Sequence, residues 1–266
     1  MKIKNSFLLL LILLISLSLF SCGKKEEKEI QIDIIEETDK GEIENSYSVS
    51  NYESDKDIVI AFFQEYIPSL SAYSYTYYAE TVAKIGFINY TQKTDATKAI
   101  KGSEAYSYVN TSSTLVKKVI EAYFNGENAS YKEDKKDIVN LTIDEYKEEF
   151  GYSPLDNLFS GLLINNETIV SVTKLENDNY RYEIVLDNEL SSRALAIESK
   201  RFGDLKDLPV FLNISLILEI NEDFYPLSLS ADFSYKANRG VELNCRQLIE
   251  FKFTSISQNI VIPTIN

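Results

Sequence analysis

The clearest signal in the chain is a two-residue alternation of apolar and polar side chains toward its C-terminus. Leu227, Leu229, Ala231, Phe233 and Tyr235 alternate with Ser228, Ser230, Asp232 and Ser234. Val241, Leu243, Cys245, Ile249, Phe251 and Phe253 share one side of a further run, and Ile214, Leu216, Leu218 and Ile220 keep the same period. Successive side chains of a strand point to opposite faces, so this period predicts antiparallel strands with one covered face and one wet face. Tyr73, Tyr75 and Tyr77 alternate with Ser74 and Thr76 in the same way. Weaker runs predict strands near 82–91, 104–114, 116–124, 127–133, 167–175 and 179–187, with turns at Lys101-Gly102, Asn125-Gly126 and Asn177-Asp178.

A period of three to four replaces this alternation in a few places. Ser54 is placed to cap a helix whose apolar residues include Ile58, Val59, Phe62, Phe63, Tyr66 and Ile67, ending near Pro68. Thr142 with Glu145 forms a capping box for a short helix that Gly151 ends. Ser153-Pro154 opens another, with Leu155, Leu158, Phe159, Leu162 and Leu163 along one stripe, and a further helix is expected from Glu189 to Phe202, stopped by Gly203. The expected fold is α+β: one curved antiparallel β-sheet, a half-barrel, with a few helices on its concave face.

The N-terminus reads differently. Lys2 and Lys4 precede an apolar stretch from Phe7 to Phe20, broken only by Ser16 and Ser18 and too short for the roughly 20 residues of a spanning helix. It ends at Leu19-Phe20-Ser21-Cys22. That tetrapeptide resembles the lipobox of bacterial lipoproteins, and Phe20 in place of a small residue brings it nearer the relaxed spirochaetal form. The resemblance implies removal of residues 1–21 and acylation of Cys22, and two or three acyl chains hold a protein firmly at a bilayer. The alternative is an ordinary signal peptide that contains a cysteine. Between Lys24 and Asn45, 13 of 22 residues are charged, which gives too little apolar surface to offset ordering. The expected division is a signal peptide at 1–21, an acylated cysteine with a charged tether at 22–51, and a folded domain at 52–266.

Charge and composition narrow the chemistry. Acidic residues outnumber basic ones, 41 to 27, for a net charge of −14, and losing Lys2 and Lys4 with the signal makes the balance more acidic. Such a surface repels both nucleic acid and anionic headgroups, so neither is an expected partner through electrostatics. The chain has no His, no Trp and two Cys, which excludes imidazole metal sites and Ser-His-Asp or Cys-His catalysis. No phosphate-binding glycine loop, metal-ligand spacing or nucleophile–base pair is present, so no cofactor or metal and no enzymatic activity are expected. Cys245, on an apolar strand face, reads as a small hydrophobe.

The entry helix at 54–67, the tyrosine-rich strand at 73–78, the mid-chain helices at 142–164 and the closing strands ending at Pro263 resemble the LolA/LolB-like half-barrel of lipoprotein carriers. That resemblance implies an acyl chain or lipid held between sheet and helices. The expected function is therefore non-catalytic binding of an apolar ligand by a membrane-anchored lipoprotein at the outer membrane or its periplasmic face. Candidate ligand-binding residues are Tyr73, Tyr75, Tyr77, Phe159, Leu162, Leu216, Leu218, Phe233 and Phe251, with Cys22 as the lipidation site. Each has a plain structural alternative, since tyrosine favours strands and an apolar stripe usually fills a core. The competing function is a surface-exposed interaction or structural lipoprotein with a fully packed core.

Overall fold

The computed structural model describes residues 47–113, 117–150, 155, 164, 167–187, 207–238 and 242–265. Eleven strands follow in chain order: β1 Ala72–Ile85, β2 Ile88–Lys101, β3 Glu104–Ser113, β4 Lys117–Phe124, β5 Asn128–Glu133, β6 Val139–Thr142, β7 Ile169–Lys174, β8 Asn179–Val185, β9 Asp207–Asn221, β10 Pro226–Asn238 and β11 Glu242–Ile256. They form one antiparallel sheet in the order β6-β5-β4-β3-β2-β1-β11-β10-β9-β8-β7. Each half is a meander, and the β1–β11 pair, from Tyr73↔Ile256 to Lys84↔Asn244, joins the two ends of the domain at the centre of the sheet.

This architecture corrects the expected α+β half-barrel with helices on its concave face. The described fold is mostly β, an open sheet of 11 strands whose edges β6 and β7 are not joined. Its main helical segment, α1, covers 15 residues: Asp55–Ala61 as α-helix, Phe62–Tyr66 as π-helix and Ile67–Ser69 as α-helix again. A second short helix, α2, spans Ile143–Phe150. The expected helices at 153–164 and 189–202 lie largely or wholly outside the described residues.

Two further differences have local causes. The expected strand at 82–91 straddles a turn: β1 runs on to Ile85, and Gly86 at φ 58° reverses the chain with Phe87. Glycine takes this left-handed conformation without the Cβ clash that other residues incur. Most of β2 is also absent from the sequence reading, because Thr94, Ala96 and Lys98 stand where large apolar residues would mark the covered face. The turns at Gly102 and Gly126 form where expected, and a Cβ on Gly126 would meet Ser103 Oγ at 3.0 Å.

Caps fix both helices. Ser54 Oγ accepts the Asp57 N–H at 3.2 Å, and the Thr142–Glu145 box closes in both directions, with the Thr142 N–H donating to Glu145 Oε2 at 2.8 Å and the Glu145 N–H to Thr142 Oγ1 at 3.3 Å. Those bonds to the carboxylate hold Glu145 below its ordinary pKa. Within α1 the π-turn precedes Pro68, whose ring cannot donate a bond and crowds the carbonyl four residues earlier.

Register divides the sheet into two unlike faces. Tyr77↔Phe251, Phe251↔Leu229, Leu229↔Leu218 and Leu218↔Tyr182 run straight across five strands. This row belongs to the helix face, where Ile58, Val59, Phe62, Phe63, Tyr66 and Ile67 of α1 join the sheet residues in one core. At the far side of the same face α2 packs Phe150 and Tyr146 against Tyr131 of β5, with the Phe150 and Tyr131 rings 4.9 Å apart.

Tyr182 of β8 brings a buried hydroxyl into that core. The Tyr182 hydroxyl makes no hydrogen bond, and burial pushes its pKa far up. An unpaired buried hydroxyl costs roughly 1–3 kcal/mol of desolvation. Tyr182→Phe is therefore expected to raise stability by about 1 kcal/mol, read as a higher urea midpoint at unchanged slope. A lower midpoint would show that the hydroxyl is bonded in solution.

Candidate functional site

The described residues nominated from sequence come together on the helix face. Tyr73, Tyr75 and Tyr77 line one side of β1, with Phe251 5.8 Å from Tyr77 and 6.2 Å from Tyr75 between ring centroids. Phe233 of β10 pairs with Ile214, and Leu216 and Leu218 of β9 pair with Ala231 and Leu229. All of these but Tyr77, which is half-buried, are buried side chains of the core. Burial raises the Tyr73 hydroxyl to a pKa of about 12, so it stays neutral at physiological pH. Phe159 and Leu162 lie outside the described residues, as does Cys22. The described members thus form a layer in contact with itself and with α1.

The opposite face, here the open face, carries a groove of about 1160 Å³. It is lined by Lys117 and Val119 of β4, Tyr108 and Asn110 of β3, Asp95 and Thr97 of β2, Thr76 and Tyr78 of β1, Glu250 and Lys252 of β11, and Ser228 and Ser230 of β10. Strands β4 and β10 have four strands between them, so the sheet curls toward this face to bring them to one groove. The hollow side of the sheet is therefore the side away from α1.

Register sets the groove floor. Tyr78 stands opposite both Asp95 and Glu250, while Thr76 stands opposite Thr97 and Lys252. Asp95 is in turn opposite Asn110, and Asn110 opposite Val119. The Asn110 Oδ1 is buried with no hydrogen-bond partner, an acceptor that has lost its water without gaining a donor.

Charges around the groove are paired. Tyr78 donates to Glu80 Oε2 at 3.0 Å, Lys93 Nζ lies 3.2 Å from the same carboxylate, Arg246 is 2.7 Å from Asp232, and Tyr106 donates to Glu121 at 2.8 Å. The Tyr78 and Lys93 bonds hold Glu80 below its ordinary pKa. Within the groove, Asp95, Glu250, Lys117 and Lys252 make no side-chain ion pair or hydrogen bond among the described residues. Two carboxylates and two ammonium groups thus line one channel without neutralising one another.

One end of the open face is closed by the C-terminal tail. Gln258 donates to Ser71, Lys101 Nζ donates to the Ile260 carbonyl at 3.2 Å, and Ile260 is buried. At that end Ser74 and Tyr106 are covered although both face away from α1. Sequence reading missed the groove because its residues occupy ordinary wet-face positions. The usable signal was tyrosine at such positions, namely Tyr78, Tyr106, Tyr108 and Tyr123.

Cys245 sits beside Tyr235 on the helix face, and burial pushes its thiol pKa up. The thiolate needed for nucleophilic attack is thereby disfavoured.

No family model and no curated protein matches the chain. Fourteen chains of solved structures do. One is the ywiB protein from Bacillus subtilis, at 7% identity and a TM-score of 0.24, with the match covering 70% of this chain and 94% of that one.

Proposed function

We propose that the chain is a lipoprotein held at a bacterial envelope membrane, at the outer membrane or its periplasmic face, through acyl chains on Cys22, and that it works by binding rather than by catalysis. The groove on the open face is its binding surface. The observation that carries this reading is the set of four unpaired groove charges beside the desolvated Asn110 acceptor, on a sheet whose other face is filled by its own side chains.

A ligand suited to the groove offers both signs of charge, hydrogen-bond donors and some apolar surface. An extended peptide has all three. Each charge-assisted hydrogen bond contributes about 1.5–3 kcal/mol, so removing one costs roughly tenfold or more in affinity. Selection from a library of random hexapeptides is expected to enrich binders that the Glu250→Gln/Lys252→Gln variant retains at least about tenfold more weakly. Equal retention by the two proteins overturns the assignment.

A second reading, an apolar ligand between sheet and helices, draws on the aromatic layer formed by Tyr73, Tyr75, Tyr77 and Phe251. For an acyl chain to enter, side chains of this core must move apart. The packed-core alternative needs no such movement.

A further inference from the structure

The β1–β2 hairpin ends in two exposed apolar side chains. Phe87 is fully exposed at 106% and Ile88 at 64%, beside the tight turn at Gly86. Neither belongs to the core, although the hairpin is among the longest in the sheet and β1 is paired along its whole length. Exposing an aromatic ring and a branched aliphatic at one tip favours association with an apolar phase.

The surroundings select that phase. Lys84 is the only charged residue in 81–92, a local exception in a chain whose net charge of −14 repels anionic headgroups as a whole. Its side chain makes no ion pair or hydrogen bond among the described residues. Tyr90, two residues beyond Ile88, donates to Ser113 at 2.7 Å and gives the tip a second ring with a polar end. Aromatic and aliphatic side chains next to an unpaired lysine suit a bilayer interface carrying anionic headgroups.

The anchor can reach the same surface. Tyr47 stacks on Phe224 in the β9–β10 turn, at the end of the sheet where β1 begins. The hairpin tip lies at the other end of β1, about 46 Å away for 14 strand residues. The 25 residues from Cys22 to Tyr47 span at most about 80–90 Å, which exceeds that distance. We propose that the β1–β2 tip is a membrane-contact finger that seats Phe87 and Ile88 in the interface of an anionic bilayer, so that the sheet lies along the membrane to which Cys22 is attached. This rests on the anchored reading above.

The chain contains no Trp, so Phe87→Trp introduces its only indole, whose emission is distinct from that of the 18 tyrosines. The acylated full-length variant is reconstituted into vesicles of phosphatidylcholine with phosphatidylglycerol, and flotation and indole emission are read together. Expected are co-flotation, a blue-shifted emission and quenching when the acyl chains are brominated. Val261→Trp, at the opposite end of the sheet, is expected to float equally and remain unquenched. Adding Lys84→Glu to the Phe87→Trp chain is expected to reduce quenching. A protein that floats with unquenched emission at the water-exposed wavelength overturns the finger and leaves the anchor standing. A protein that stays in the aqueous fraction overturns both.

Discussion

Phe224→Ala is expected to lower the unfolding free energy by roughly 3–5 kcal/mol, the usual cost of removing a buried ring. Phe224 has no exposed surface and meets four other rings: Tyr52 at 5.4 Å, Tyr47 at 5.8 Å, Tyr66 at 5.9 Å and Phe62 at 6.4 Å. It holds this position at φ 63°, a left-handed conformation that costs a bulky residue about 1–2 kcal/mol. Ring packing outweighs that strain. The turn is supported by Asn221, whose Oδ1 accepts the N–H groups of Asp223 and Tyr225 at 3.0 and 2.8 Å. Phe224→Gly loses the same ring and relieves the backbone, so it is expected to fall about 1 kcal/mol above the alanine variant. Chemical denaturation measures both. Amide exchange at Val49, whose N–H donates to the Glu222 carbonyl at 2.8 Å, reports release of the segment that leads to the anchor. A loss of less than about 1 kcal/mol in Phe224→Ala would contradict this packing.

Leu218→Ala is the second large effect and bears on whether the helix face is solid. Leu218 has no exposed surface and lies opposite Tyr182 on one side and Leu229 on the other. Leucine truncation in a close-packed core costs about 2–5 kcal/mol, rising by about 24 cal/mol for each Å³ of cavity left behind. Enclosure by two neighbouring strands within one continuous core leaves little room to collapse, so a cost toward the upper end, roughly 4 kcal/mol, is expected. A leucine lining a ligand space loses only the transfer part, about 2 kcal/mol, and its replacement changes ligand content. Urea denaturation of wild type and variant separates the two.

What was legible in the sequence depended on how each strand is covered. β9, β10 and β11 place Ile, Leu and Phe in the core that α1 shares and could be read directly from their period. The first helix was legible for the same reason, with Ser54 marking its start. β2 was hidden because its covered face uses Thr94, Ala96 and Lys98, and the Gly86-Phe87 turn was hidden because Phe87 and Ile88 read as strand interior while standing in solvent. Overweighting the helical segments led to an α+β half-barrel in place of an open, mostly β sheet. Alternation identified the two faces but not the direction of curl, which follows from the residues that the groove brings together. Curvature comes from six strands acting together, and no single strand encodes it. The groove charges were individually visible, but only register places Asp95 and Glu250 on either side of Tyr78.

On the proposed reading, the helix face is a filled core and binding occurs on the other face. Organic extraction of the purified, acylated protein after exhaustive detergent exchange, followed by mass spectrometry of free and protein-bound lipid, tests it most directly. The expected result is acyl chains covalently attached at Cys22 and no lipid released without cleaving that linkage. Stoichiometric release of a non-covalent fatty acid or phospholipid would contradict the account and place the ligand between α1 and the sheet.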